Sequence, residues 1–398
     1  IQDNEYAIST HKSVQNADSV YSMSMGYRNL SRYEVDGVDF FETNLAFKEA
    51  TERARKGKGP SLIVSNVIRL LPHSSSDDQK KYRTEEDLLK DQKRDPLILL
   101  KNQCLKQKII TLKQFKNIEF KLKEKIENDV KWSLAQNDPN PLEASLHVYS
   151  NKLLTEESDF NFISDKKIVM VDAINHALKE EMSFNKKMII YGQDIADPKG
   201  GVFTATKGLS DTFGNDRVFN SPLAESSIIG TAIGLAVTGY KAVVEIQFAD
   251  YIWTSMMQIR NEVVTMRYRS NNLWQCPIVI RAPVGGYING GIYHSQSIDG
   301  FFMHIPGIYI AYPSNASDAK GLLKMACRMH DPVIFMEHKN LYRQGYASSK
   351  EPNEDYILPF GKGKIISNGL ELTIISWGAM IQKSIESIKL LGLEDNLI

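Results

Sequence analysis

The sequence predicts an α/β fold, with mostly parallel sheets flanked by helices, on three observations. Short apolar runs rich in β-branched residues recur along the chain: SLIVSNVIRL (61–70), KKMIIYGQDIA (186–196), KAVVEIQF (241–248), PIVIRAPVGG (277–286), GIYIAYPS (307–314) and DPVIFMEHK (331–339). Helical patterns separate the later ones, and strands alternating with helices indicate parallel pairing through short crossovers. The runs end in Gly, Ser or Asp loops, the usual place for function at the carboxyl ends of such strands.

Taken in order, residues 1–30 read mainly as loop, and RYEVDGV (32–38) as a strand ending in a turn. FETNLAFKEATERAR, from Phe41 to Arg55, has helical spacing with a charged outer face, and Gly57 and Gly59-Pro60 stop it. The strand at 61–70 runs into PHSSSDD (72–78), which places His73 among serines and aspartates. Residues 80–133 are heavily charged, with helices expected at 84–92 and 111–133, until DPNPL (138–142) breaks the pattern. Residues 150–167 read as a linker, dividing a first part, 1–149, from a second, 168–345. The second part opens with an amphipathic helix at 168–184. A strand, a Gly-bounded loop and helix (200–214), and further helices at 254–269 and 316–328 follow. Residues 346–398 start a third unit, with ELTIISWG (371–378) strand-like. The chain opens without Met and stops inside an expected α/β unit, so further sequence is expected at both ends.

Composition narrows the classes. Lys+Arg and Asp+Glu balance at 48 each, so charge points to neither nucleic acid nor an anionic membrane. No apolar run reaches the ~18 residues of a membrane span. The three cysteines, Cys104, Cys276 and Cys327, form no CxxC pair, which fits a reducing compartment. No GxGxxG follows a strand, and HExxH, P-loop and GxSxG motifs are absent.

The rest of the chain is organised around residues 219–253, FNSPLAESSIIGTAIGLAVTGYKAVVEIQFADYIW. Glu225 stands alone there among small and apolar residues, ahead of a Gly/Ala-rich helix (228–239) suited to tight packing against other backbone. An acid at such a place is either a helix-start charge or an acid placed for chemistry.

The order of motifs favours chemistry. GGVF, TKGL, FG, RVFNSPLAE, IGTAIGLAVTGYKAVVEIQFADYI and YHSQS follow one another between residues 200 and 297. This resembles the beta part of thiamine-diphosphate-dependent 2-oxo acid dehydrogenases. NEYAIST, VDG, IRLLPHSSSDD, YR and DP, earlier in the chain, resemble the end of the alpha part. HSSSDD and EIQFADYI are nearest the branched-chain type. The resemblance therefore implies an alpha–beta fusion with a thiamine-diphosphate-binding fold, followed by the start of a transketolase C-terminal-like domain.

The resemblance also implies the cofactors, thiamine diphosphate and Mg²⁺, and a set of roles. Glu225 would bond the aminopyrimidine ring nitrogen, and Leu223, Gln247 and Tyr251 would line the pyrimidine pocket. Asn4 and the main-chain carbonyl of Tyr6 would hold Mg²⁺, a hard ion that takes oxygen ligands. His73 and His294 would handle protons near the reacting centre and the lipoyl entrance. Arg69, Asp77, Tyr82 and Arg83 would fix the His73 loop by charged hydrogen bonds. Two positions depart from the family pattern: Gln2 stands where an Arg contacts the diphosphate, and Pro72 stiffens the backbone before His73. The partners implied are a small 2-oxo acid, the lipoyl domain of a dihydrolipoyl acyltransferase, and a second copy of the fusion. The location implied is bacterial cytoplasm or mitochondrial matrix. Rival readings are a pyruvate or acetoin relative, a transketolase-like transferase, and a non-catalytic scaffold.

Overall fold

The computed structural model describes residues 1–152, 158, 160–369 and 372–392. The chain divides into two compact units, Ile1–Asp138 and Pro139–Ile398.

Unit 1 is built on a three-stranded parallel sheet. β1 (Gln2–Asp3) and β2 (Ser31–Asp36) flank β3 (Ser61–Asn66), giving the order β1-β3-β2. Helix α1 (Phe40–Arg55) follows β2, because Asp39 caps it by accepting the amides of Phe41 and Glu42. Arg53 and Arg55 complement the negative end of its dipole. The core here is small, with Val35, Ala46 and Ile63 as its buried cluster. Helices α2 (Glu85–Lys93), α3 (Pro96–Lys106) and α4 (Leu112–Leu134) complete the unit. Thr111 and Gln114 form a capping box at the start of α4. The strand expected over 61–70 ends at Asn66, and α3 is an element beyond those expected from the sequence.

Unit 2 carries the larger core. Its elements are β4 (Phe162–Ile168), α5 (Met170–Phe184), β5 (Met188–Gly192), β6 (Val218–Asn220), α6 (Glu225–Val237), β7 (Lys241–Glu245), β8 (Val279–Val284), β9 (Tyr309–Ala311), α7 (Ala316–Arg328), β10 (Val333–His338), β11 (Ser349–Pro352) and α8 (Met380–Leu390). Six strands form one parallel sheet in the order β9-β10-β8-β7-β5-β6. Every residue of β7 and β8 is buried, as expected for a parallel sheet covered on both faces. Two apolar clusters cover it. Met170, Ile174, Leu178, Val243 and Phe335 belong to one, and Ile228, Ile229, Ile246, Ile280 and Met336 to the other. Burying one such side chain contributes about 1.5–3 kcal/mol.

A charged group also runs through this core. Arg281 on β8 binds Glu337 on β10 through two bonds (2.6 and 2.9 Å) and Glu245 on β7 at 2.7 Å. All three are almost fully buried, and the Tyr342 hydroxyl donates to Glu337 at 2.6 Å. Burial pushes the Glu245 carboxyl up, against the pull of Arg281.

Five expectations need revision. The stretch 150–167, read as a linker, contains most of β4, which pairs antiparallel with β11; residues 153–157 and 159 lie outside the described residues. A partner nearly two hundred residues away leaves no local sign in the sequence. β11 also ties residues after 346 into unit 2, through Lys320 to Glu351 at 2.9 Å. Residues 254–269 are not one helix: 3-10 turns give way to α-helix and a π-helical turn at Ile259–Val263. Residues 372–378 carry no strand, and residue 371 lies outside the described residues. The glycines of α6 do not press on other backbone either. A Cβ at Gly234 would meet nothing within 4 Å, and at Gly230 only the Gln258 side chain.

Candidate active site

In unit 1, β1 and β3 are neighbours in parallel register, Asp3 beside Asn66. The segments that follow them therefore leave the same sheet edge. After β1, the Asn4 side chain accepts the Tyr6 amide at 3.1 Å, closing a tight turn with Glu5 at φ 69°. Two guanidinium groups, Arg69 and Arg83, each lie 5.2 Å from the centre of the Tyr6 ring. After β3, the loop with His73 is fixed by a chain of bonds. Arg69 donates to the Ile8 carbonyl (2.7 Å) and to the Tyr82 hydroxyl (2.6 Å). Tyr82 donates in turn to Asp77 (2.6 Å), which also accepts the His73 amide (2.9 Å). These bonds, Tyr82 first, hold the Asp77 carboxyl below its ordinary range. Arg83 donates to the Arg69 carbonyl (2.9 Å) and pairs with Asp91 (2.6 Å). The four residues expected to brace this loop do so, and they leave the His73 side chain exposed.

In unit 2, Glu225 is the first residue of α6, half-buried, at the positive end of the helix dipole. Its two carboxylate oxygens are held separately. Gln193, buried just past the end of β5, donates to Oε1 at 2.8 Å, and the Thr254 hydroxyl donates to Oε2 at 3.2 Å. Thr254 also lies 3.3 Å from the Tyr251 carbonyl, and the Tyr251 hydroxyl sits 3.3 Å from His294 Nε2. Thr254 thus meets Glu225 and the Tyr251 main chain, while the Tyr251 side chain meets His294. His294 Nδ1 faces the Gly290 carbonyl at 3.2 Å. A carbonyl can only accept, so Nδ1 is the donor of that bond.

The His294 loop is fixed from beneath. Asp250 accepts the amides of Ser295 (3.1 Å) and Gln296 (3.2 Å). The Phe248 ring meets His294 edge-on at 4.5 Å, and Lys339 Nζ lies 5.6 Å from the Phe248 ring centre. Lys339 is 2% exposed, and its ammonium has no hydrogen-bond partner among the described residues. Burial pulls its pKa down to about 8, while Asp250 pulls the other way. The same burial lowers the neighbouring His338 to about 4. Gly285 is required here: it has φ 79°, and a Cβ would strike the His338 ring.

The remaining expected residues stand apart. Gln247 donates to Asp194 at 3.3 Å rather than to Glu225, and Leu223 is 83% exposed on the turn before α6. The reading of the sequence missed Gln193, Thr254, Phe248, Asp250 and Lys339. The ends of the YGQD and QFADY strands were the available signal, since loops there position function.

Two α/β units, one with an Asn-turn and a braced His loop and the other with a helix-start Glu, each place polar groups at strand ends, as α/β folds with functional strand-end loops do. The "Dehydrogenase E1 component" family model matches residues 1–142, and "Transketolase, pyrimidine binding domain" matches residues 166–344. The 2-oxoisovalerate dehydrogenase subunit beta of Bacillus subtilis is 46% identical over 217 residues, 54% of this chain and 65% of that protein. The mitochondrial 2-oxoisovalerate dehydrogenase subunit beta 2 of Arabidopsis thaliana is 43% identical, over 55% of this chain and 60% of its own length. The pyruvate dehydrogenase E1 component subunit beta of Bacillus subtilis is 40% identical, over 56% of this chain and 67% of its own length. The chain belongs to the thiamine-diphosphate-dependent 2-oxo acid dehydrogenase family, with an alpha-type part preceding a beta-type part. It spans somewhat less than two thirds of the first two of these relatives.

Proposed function

We propose that this chain is the decarboxylating component of a 2-oxo acid dehydrogenase complex, acting on branched-chain 2-oxo acids. The acyl group would pass to a lipoyl group on an acyltransferase partner. The observation that carries this is the half-buried Glu225 at the start of α6, with each oxygen anchored by a neutral donor, Gln193 and Thr254.

The residues fit the implied cofactor. Glu225 offers a carboxylate at a helix start, where it would share a proton with the aminopyrimidine ring nitrogen. Gln247, Tyr251 and the exposed Leu223 are the pyrimidine-side candidates. Asn4 Oδ1 and the Tyr6 carbonyl are oxygen donors of the kind Mg²⁺ takes. The described residues hold no cluster of three His, Cys, Asp or Glu. Thiamine diphosphate, when bound, supplies a nucleophilic thiazolium carbon and an electron sink for decarboxylation. His294 would accept or return a proton at Nε2, because Nδ1 is committed to Gly290. His73, exposed on a braced loop, would do the same from unit 1.

Similarity to 2-oxoisovalerate dehydrogenase subunits supports the branched-chain substrate. Similarity to a pyruvate dehydrogenase subunit supports pyruvate as the second reading. The test is CO₂ release from a panel of 2-oxo acids, with and without thiamine diphosphate and Mg²⁺. Preference for 2-oxoisovalerate supports the first reading, preference for pyruvate the second, and no cofactor-dependent release contradicts both. We also propose a homodimer, to be checked by sedimentation. A reducing compartment, bacterial cytoplasm or mitochondrial matrix, fits the three free cysteines.

A further inference from the structure

Lys339 directly follows β10, and Asp250 lies in the 3-10 turn Ala249–Ser255 beyond β7. Both are buried, and the Asp250 charge acts on Lys339. They form no direct bond: Lys339 Nζ and Asp250 Oδ2 each lack a hydrogen-bond partner among the described residues. A buried charge without a bond costs stability, and such groups concentrate where a site needs them. The other charges around this layer are taken or neutral. Arg281 holds Glu245 and Glu337, and Tyr342 also donates to Glu337. Arg343 donates to Thr204 at 2.7 Å. His338 is neutral down to about 4 because it is buried. Phe203 packs on both Phe248 (5.9 Å) and Tyr342 (5.1 Å), which adds rings rather than charges. The charge left for Lys339 is that of Asp250.

Asp250 has a second task. Its Oδ1 accepts the amides of Ser295 and Gln296, next to His294. The Gly285 amide donates to the Gln296 carbonyl at 2.8 Å and closes the neck of the loop 285–296. Within it, Gly290 lies so close to His294 that a Cβ would strike that side chain. The loop is wound tightly on His294, and Asp250 is its carboxylate anchor. An ionised carboxylate accepts amide protons more strongly than a neutral one, and a nearby cation keeps it ionised.

We infer that Lys339 is a positioning residue for His294: its charge keeps Asp250 an ionised anchor for the Ser295 and Gln296 amides, and so fixes the loop that presents the His294 ring. Its effect on turnover rests on the role given to His294 above; its effect on the loop does not. The sign with pH follows from the ammonium. Below about pH 8 Lys339 is charged and the anchor is firm. Above that it is neutral, Asp250 loses its cation, and the loop loosens. A guanidinium in its place would stay charged throughout.

The test is hydrogen exchange of the full-length chain, read as protection factors at the Ser295 and Gln296 amides at pH 6.5 and pH 9. In the wild type, protection should fall roughly fivefold or more between the two. In Lys339→Met it should be low at both, with β7 and β8 as protected as before. In Lys339→Arg it should stay high at both. Equal protection in the wild type and Lys339→Met at pH 6.5 would overturn the inference. So would loss of protection across all of unit 2 in Lys339→Met, which marks a merely structural role. These two samples decide the matter whether or not the larger Arg is accommodated. CO₂ release from 2-oxoisovalerate, followed over the same pH range, tests the link to turnover. It should decline above pH 8 in the wild type and be lower in Lys339→Met. Wild-type release in a Lys339→Met chain with a loosened loop would overturn that link. Absence of cofactor-dependent release from the wild type would overturn the enzymatic reading itself, a failure that the exchange data keep separate.

Discussion

The two units hold their histidines by different means. In unit 2, His294 rests on Phe248 and on a loop pinned by Asp250, all carried by fully buried parallel strands. In unit 1, the sheet has three strands and a small core, and His73 depends on a polar chain running from Ile8 through Arg69 and Tyr82 to Asp77. A large core fixes a side chain as part of global stability. A polar chain fixes it locally, so the loop can open without the unit unfolding. The same type of substitution should therefore act globally in unit 2 and locally in unit 1.

The largest effect should come from Arg281→Met, which leaves Glu245 and Glu337 buried without their cation. Denaturant unfolding should show a loss of about 3–5 kcal/mol. Little loss would mean that the core is not organised around this group.

A smaller, pH-dependent effect is expected at Lys339. Its folded pKa, about 8, lies below its ordinary 10.5, so the native state disfavours the charged form. The cost is present in full below pH 8 and fades as pH rises towards 10.5, because the unfolded chain then binds more protons than the native one. Lys339→Met should thus be more stable than wild type at pH 7, and the gap should close by pH 10.5. A gap that does not change with pH would contradict the assignment.

The smallest effect should come from Tyr82→Phe, which removes two hydrogen bonds in unit 1 on a solvent-screened loop. Hydrogen exchange should speed up at the His73 amide, with protection in β7 and β8 unchanged. Loss of protection across both units would erase the contrast drawn above.

Much of this was legible in the sequence. The buried strands were readable from their β-branched runs, and α7 was expected over the same residues, 316–328, that it occupies. Helix α3 was missed although Asp95-Pro96 is a good start signal, an N-cap followed by Pro at the first helical position. β4 was missed because strand pairing with β11 is non-local. Glu225 could be picked out as a lone acid before an apolar helix. Its anchors could not, since Gln193 and Thr254 are brought to it only by the order of strands in the sheet. Likewise, nothing in the local pattern around Lys339 announces a buried ammonium.

The central claim is that Glu225 is the acid on which catalysis turns. The most direct measurement is the rate of CO₂ release from 2-oxoisovalerate by Glu225→Gln beside the wild type, at saturating thiamine diphosphate and Mg²⁺. Gln keeps the shape but cannot hold the proton, so release should fall at least about 100-fold while the melting temperature stays near that of the wild type. Release at the wild-type rate in Glu225→Gln would contradict the account.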